Sequence, residues 1–555
     1  MNRRHLLIIT AATGLALPVV AFAEPSETPP APVTARQWQV VELTLAAQRE
    51  YDHPFDFESV RLVVTFEGPG AEQLEVPGFW DGKQTWKVRF TPTKQGTWKY
   101  VTAFSVQDDP GLHGRRGTIH VLPPDGENPL FRHGGLLKVS PNGRHLTYTD
   151  GTPFFWLGDT WWFCPSTLVP FEGSSNPACS SMFRKLIDLR AKQRFTVVQM
   201  CFLGPPRFAP GLEGFSVLKP DSWQPQHVVY WQEVDRYIRY ANQQGIIPVV
   251  GMAFHRSTDA VSLDALKKLW AYFLARYGAM PVGVLIQGEY NLKQGPVGER
   301  VEKVLRLGQF IKECDPYKRA LTVHPWYYGG DQRQAWDQPW YDFIMVQGGH
   351  SREGPPPKFY LEVYNRKQSK PLLEGECTYE GIYGYDAAVV RRNAYKAIQS
   401  GSFGYTYGSH GLWYPNQTAE DQKFDKWGKP IPWWQALQRP GGAQMEHLRA
   451  CYESVDWWKL APRPGAIVPA CSILTKAEGD NTFLLYFVAD SEVPPGGRMT
   501  GVKGGAAYVG QWFDPRTGRV RPASARLVAE ANGLVLPERP DAQDWMLVLK
   551  RQTEP

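Results

Sequence analysis

Two short apolar runs, each ending in a carboxylate, constrain this chain more than anything else in it. One is residues 282–287, Val-Gly-Val-Leu-Ile-Gln, followed by Gly288 and Glu289. The other is Pro371, Leu372 and Leu373, followed by Glu374, Gly375 and Glu376. Runs this short, bounded by glycine and proline, read as strands buried on both faces, the kind found in parallel sheets. Each then delivers an acid at its C-terminal tip. Six further runs of this kind occur at 154–157, 196–200, 246–252, 321–323, 343–346 and 404–407. Amphipathic stretches at 182–194, 234–243 and 263–277 lie between them. Eight such units predict an α/β fold, a (β/α)8 TIM barrel. A doubly wound open sheet is the rival, but no glycine-rich phosphate turn follows the first strand.

The barrel does not fill the chain. At 555 residues the protein is too long for one core. Arg3 and Arg4, an apolar stretch at 6–20 and Ala21-Phe-Ala23 predict a signal peptide over 1–23, with the arginine pair fitting twin-arginine export. The expected location is therefore periplasmic or secreted. Residues 24–36, rich in Pro, Ser and Thr, read as a linker. Over 37–123, short alternating runs separated by turn residues predict an N-terminal β-sandwich. The barrel is expected over 129–458, and a smaller C-terminal β-sandwich over 463–552.

Composition excludes several classes of partner. The net charge is +6, with Lys and Arg scattered rather than gathered into a stripe, so nucleic acid is not an expected partner. No run beyond the signal has the length and apolarity of a membrane span. Oligomeric state leaves no mark. The seven cysteines are an odd number, so at least one thiol stays unpaired; Cys164 and Cys179 are candidates to close one loop.

In a barrel, side chains just past the strand C-termini line the mouth. The first strand then delivers Asp159, Trp161 and Trp162, the third His255, and the fourth Glu289 and Asn291. The fifth delivers His324, Trp326 and Tyr327, the sixth Gln347 and His350, the seventh Glu374 and Glu376, and the eighth Tyr407 and His410. A pair of acids across such a mouth is the equipment for breaking a glycosidic bond. Glu289 is the expected acid/base and Glu376 the expected nucleophile. Glu374, two residues earlier and so on the same face of an ideal strand, is the rival nucleophile or a holder of its neighbour. Asp159 either binds a substrate hydroxyl or caps the chain after the first strand. His255, His324, His350 and His410 are widely scattered, with no close pair, which favours sugar contacts or packing over a metal site. Neither metal nor cofactor is expected. The 21 Trp and 25 Tyr supply flat apolar faces suited to a carbohydrate substrate.

The run Asp150-Gly-Thr-Pro-Phe-Phe-Trp-Leu-Gly-Asp-Thr-Trp-Trp162 resembles the opening strand of the apiosidase-like barrel family. These are bacterial glycoside hydrolases similar to the retaining clan A glycosidases. Gln287-Gly-Glu289-Tyr-Asn291 matches the family's fourth-strand ending, and Gly375-Glu376-Cys-Thr-Tyr379-Glu380 its seventh-strand pattern. The resemblance thus implies Glu289 and Glu376 in the two catalytic roles. Residues 51–55, 76–82 and 111–114 resemble the β-sandwich that often precedes such barrels, and residues 511–518 a collagen-binding-like C-terminal domain. Glu289 stands where the family often has Asp, and Cys377 where Pro is common, which sets apiose apart from the general chemistry. The expectation is an exported hydrolase of a plant or microbial polysaccharide or its oligosaccharides, working with retention. The alternative is a non-catalytic carbohydrate-binding or adhesion protein on the same scaffold. A polysaccharide lyase is a third reading.

Overall fold

The computed structural model describes residues 19–21, 32–203, 226–330, 332–421, 423–489 and 497–552. The expected signal peptide, except for Val19–Ala21, and the linker up to residue 31 lie outside these residues. Val33–Arg36, within the stretch read as linker, is already a strand, paired in parallel with Arg116–Leu122.

Seven parallel strands form the central sheet. In spatial order they are the fourth, third, second, first, eighth, seventh and sixth of the chain: Gly283–Val284, Ile247–Ala253, Val197–Leu203, Trp156–Trp161, Gly404–Tyr407, Leu372–Glu376 and Ile344–Gln347. The fifth run is reduced from a strand to one parallel bridge, Val284 to Leu321. It still joins the two ends of the curled sheet. Thr322 N–H donates to the Val284 carbonyl at 3.3 Å, and Asp342 N–H donates to that of Leu321 at 2.9 Å. The ladder is short here because the fourth strand leaves extended geometry early: Ile286 has φ 36° and Glu289 φ 49°. The first strand begins two residues later than its apolar run, since Pro153–Phe154 pairs with Leu146–Thr147 in a separate small sheet.

Helices form over the three predicted amphipathic stretches, at Met182–Lys192, Gln226–Gln243 and Leu263–Tyr277, and side-chain caps mark the starts of several helices. Met182–Lys192 is capped by Ser181, Leu263–Tyr277 by Ser262 and Ala387–Gln399 by Asp386. Their apolar stripes, such as Phe183, Leu186 and Ile187, cover the outside of the barrel.

Two antiparallel β-domains flank the barrel. The N-terminal one faces its two sheets across Val64, Phe66, Val88, Phe90 and Trp98, with the Phe66 and Phe90 rings stacked at 3.9 Å. An ion network ties it to the barrel. Arg89 binds Glu42, Asp235 and the Arg276 carbonyl, while Arg276 binds Asp235 and Asp81. Both guanidinium groups are fully buried. The C-terminal domain pairs a six-stranded with a three-stranded sheet. It docks through a bidentate Arg391–Asp544 pair, both bonds 2.7 Å, and Tyr395 stacked on Tyr486.

All seven cysteines are free thiols. The loop closure expected of Cys164 and Cys179 is absent: Cys164 is packed into a core cluster, and the Cys179 thiol donates to the Ser181 carbonyl at 3.1 Å.

Candidate active site

A cavity of about 500 Å³ opens at the C-terminal end of the parallel strands. Glu289 and Glu376 both line it, with Trp162, His255, Trp326, Tyr327, Gln347 and His350 around them. Its remaining wall is largely apolar, and the segment after the eighth strand supplies Trp413, Phe424 and Trp427 to it. Trp413 lies 4.6 Å from Phe424 and 5.2 Å from Trp427 between ring centroids.

Glu376 ends the seventh strand and is fully hydrogen-bonded. The Gln347 amide donates to Oε1 at 2.8 Å and the Trp162 indole to Oε2 at 3.1 Å. His350 Nε2 lies 3.2 Å from Oε1, and His324 Nε2 the same distance from Oε2. Burial alone would raise the pKa of such a group. The two imidazoles beside it outweigh burial and hold Glu376 well below the ordinary carboxylate range.

Glu289 has the opposite environment. Its contacts are long, 3.4 Å from the Gln347 amide and 3.6 Å from His255 Nδ1. Burial, then the neighbouring Glu376 charge, push its pKa up. Burial also lowers His255 to about 4, so this ring is neutral at neutral pH and brings no cation to Glu289. The left-handed backbone of Glu289 is uncommon for a residue with a side chain and marks the strained end of the strand.

Two acids two residues apart share a face in an ideal strand, yet Glu374 does not join Glu376 in the cavity. The pairing with the sixth strand slips here: Val346 opposes Glu374, but Gln347 opposes Glu376. Glu374 Oε1 accepts the backbone N–H of Gly348 and of Glu376, and Oε2 accepts the Tyr360 hydroxyl at 2.6 Å. It is fully buried, and burial lifts its pKa to about 7.

Other expected site residues serve the walls. Asp159 is buried against Arg190 at 2.6 Å and accepts the Trp161 indole N–H, and Trp161 packs into a core cluster away from the cavity. Asp159 also accepts the Thr160 N–H at 2.8 Å, inside the strand rather than after it. The Tyr407 hydroxyl donates to Glu380, and His410 Nε2 meets the Gly428 carbonyl. Asn291 accepts the Trp326 N–H at 2.6 Å and so shapes the loop that carries Trp326 and Tyr327. His324 is buried behind Glu376. Phe163, Phe254, Leu292, Tyr379, Trp413, Phe424 and Trp427 line the cavity without having been singled out by sequence. Only Tyr379 carried a signal, as part of the seventh-strand motif. Among the described residues no group of three or more His, Cys, Asp or Glu is placed to hold a metal ion.

Known proteins resemble this chain in family and in fold. Residues 140–459 match the family described as apiosidase-like, catalytic domain, and residues 34–105 match a domain of unknown function, DUF5060. No curated protein matches the chain. Among solved structures, a candidate glycoside hydrolase from Bacteroides vulgatus superposes with a TM-score of 0.72 at 19% identity, covering 94% of this chain and 100% of its own. A family 5 glycoside hydrolase from the same species gives 0.64 at 20% identity, covering 76% of this chain and 94% of its own. At such identities the likeness is one of fold.

Proposed function

Since this chain belongs to the apiosidase-like family, we propose that it is an exported, retaining glycoside hydrolase acting on a plant or microbial polysaccharide or its oligosaccharides. Glu376 is the nucleophile and Glu289 the acid/base. The observation that carries this reading is that one amide, Gln347, contacts both carboxylates while their environments push them in opposite directions. One acid is kept ionised and the other protonated, the division of labour that glycoside cleavage requires.

The geometry favours retention. The two oxygens held by Gln347 lie no further apart than the sum of 2.8 and 3.4 Å. That is below the ~6.5 Å at which inverting pairs begin and consistent with the ~5–5.5 Å of retaining ones. In the first half-reaction a Glu376 oxygen bonds to the anomeric carbon as the bond to the leaving oxygen breaks, and the Glu289 proton passes to that oxygen. In the second, Glu289 takes a proton from water. The water oxygen bonds to the anomeric carbon, and the ester to Glu376 breaks. Trp162, Trp326, Tyr327, Trp413 and Trp427 give the sugar rings flat apolar surfaces to rest on. Export rests on the signal-like N-terminus.

The test is hydrolysis of a polysaccharide and aryl-glycoside panel by the wild type, Glu289→Gln and Glu376→Gln. Sugar release with both variants slowed by about 10³-fold or more supports the assignment. Near-wild-type rates in either variant would overturn it. Saccharide binding with no cleavage across the panel would favour a binding protein instead.

A further inference from the structure

Gln347 closes the sixth strand and is 3% exposed. The slip in strand pairing sets it directly opposite Glu376. Its own backbone is held in turn, since the Gln332 amide donates to the Gln347 carbonyl at 3.2 Å. A primary amide has two N–H bonds on one nitrogen. Here that nitrogen stands 2.8 Å from Glu376 and 3.4 Å from Glu289. The amide oxygen is buried with no hydrogen-bond partner among the described residues, so the side chain's bonding is committed to its donor end.

We propose that Gln347 is a positioning residue that ties the two carboxylates together and transfers its stronger hydrogen bond from Glu376 to Glu289 as the negative charge moves between them. The inference rests on the two-carboxylate reading above. In the resting site the charge sits on Glu376, and the shorter contact is there. Once Glu376 is esterified its charge is gone, while Glu289, having given up its proton, is anionic. A hydrogen bond to an ionised acceptor is roughly twice as strong as one to a neutral acceptor. The same amide therefore tightens onto Glu289 with a movement of a few tenths of an ångström, and returns when water releases the sugar. No protein group has to enter or leave the site, and neither carboxylate is left without a donor in the half-reaction that charges it.

The experiment compares the wild type with Gln347→Met, which keeps length and loses both donors, and Gln347→Glu, which keeps shape and adds a third acid. On a substrate the wild type cleaves, Gln347→Met lowers kcat about a hundredfold and moves KM by no more than about threefold. Both limbs of its pH profile shift upward, because each carboxylate loses a donor that favoured its charged form. Gln347→Glu is slower still. A kcat within about threefold of wild type, or a fall in kcat with unmoved limbs, would overturn the inference. A second measurement needs no substrate. The Trp162 indole donates to Glu376, so the fluorescence difference between each protein and its Trp162→Phe counterpart follows Glu376 ionisation. Its midpoint rises by roughly one pH unit in Gln347→Met; an unmoved midpoint would overturn the inference. The glycosidase reading fails separately, through Glu289→Gln and Glu376→Gln, while this titration still decides the role of Gln347.

Discussion

Glu374 accepts the backbone N–H of Glu376 through Oε1 at 3.1 Å, so a buried acid orients the peptide that carries the acid facing the cavity. The same oxygen accepts the Gly348 N–H, and Oε2 faces the Tyr360 hydroxyl. The ionised carboxyl accepts from all three donors; once protonated it keeps the two N–H groups on Oε1 and reverses the third bond, its O–H donating to the Tyr360 oxygen. A glutamine satisfies this ring of partners equally, with its oxygen on the two N–H groups and its amide on Tyr360. Glu374→Gln is therefore expected to keep activity within about threefold of wild type, in contrast to Glu376→Gln.

The same residue sets a stability slope. Its pKa in the folded protein is about 7, above the ordinary 4.5. Between these values the unfolded chain has lost the proton that the folded chain keeps, so stability falls as pH rises through this window. Below it the contribution is fully present; above it the contribution is lost. Thermal unfolding of wild type and Glu374→Gln from pH 4 to 8 should show the variant gaining on the wild type toward the alkaline end. A constant gap between the two curves would contradict this.

Activity should follow a bell-shaped pH profile, since one acid must be ionised and the other protonated. Glu376 is held low and Glu289 high, so the plateau extends to either side of the ordinary glutamate range. In kcat/KM against pH, His324→Gln should raise the acidic limb, because it removes one of the groups that hold Glu376 low. A limb that stays in place would exclude His324 from that role.

The aromatic wall should contribute binding more than chemistry. Trp427→Ala leaves both carboxylates and Gln347 untouched and removes one face of the cavity. The expected change is about tenfold in KM, some 1.4 kcal/mol, with kcat nearly unaltered. Steady-state kinetics on an oligosaccharide substrate separates the two.

The N-terminal sandwich should unfold with the barrel. Asp235 receives bonds from both Arg89 and Arg276, whose guanidinium groups are fully buried. Arg276→Ala is expected to cost about 3–5 kcal/mol, the usual penalty for stranding a buried charge. Denaturant unfolding followed by fluorescence measures it, and truncating the exposed Arg36–Asp125 pair is the control expected to leave the midpoint in place. Glu42 adds an acid sensitivity. Its pKa is depressed to about 2 from an ordinary 4.5, so its contribution is present above 4.5 and is lost as pH falls through 2.

The sequence made the strand tips legible because a fully buried parallel strand is a dense apolar run, and the first polar residue after it has nowhere to go but the mouth. Glu289, Gln347, His350 and Glu376 were found that way. The rule overreached at Asp159, Tyr407 and Glu374. Each of these meets a partner, Arg190, Glu380 or Tyr360, supplied by a different element, and such pairing has no local signature. Trp413, Phe424 and Trp427 were illegible for a different reason. They sit in a segment with no strand or helix period, and only its folded path brings them to the cavity. The fifth strand failed as a strand because its neighbour turns away at Ile286, a departure that an isoleucine gives no reason to expect.

Both carboxylates and the amide between them stand on strand ends, whereas Trp413, Phe424 and Trp427 all belong to the one connection that follows the eighth strand. One wall of the recognition surface is thus written in a part of the gene separate from the reacting groups, while Trp162, Trp326 and Tyr327 stay with the strand tips. Lengthening, shortening or exchanging that connection would retune which saccharide is admitted while the bond-breaking apparatus is inherited unchanged, which makes it the natural place for lineages, or a library, to diversify.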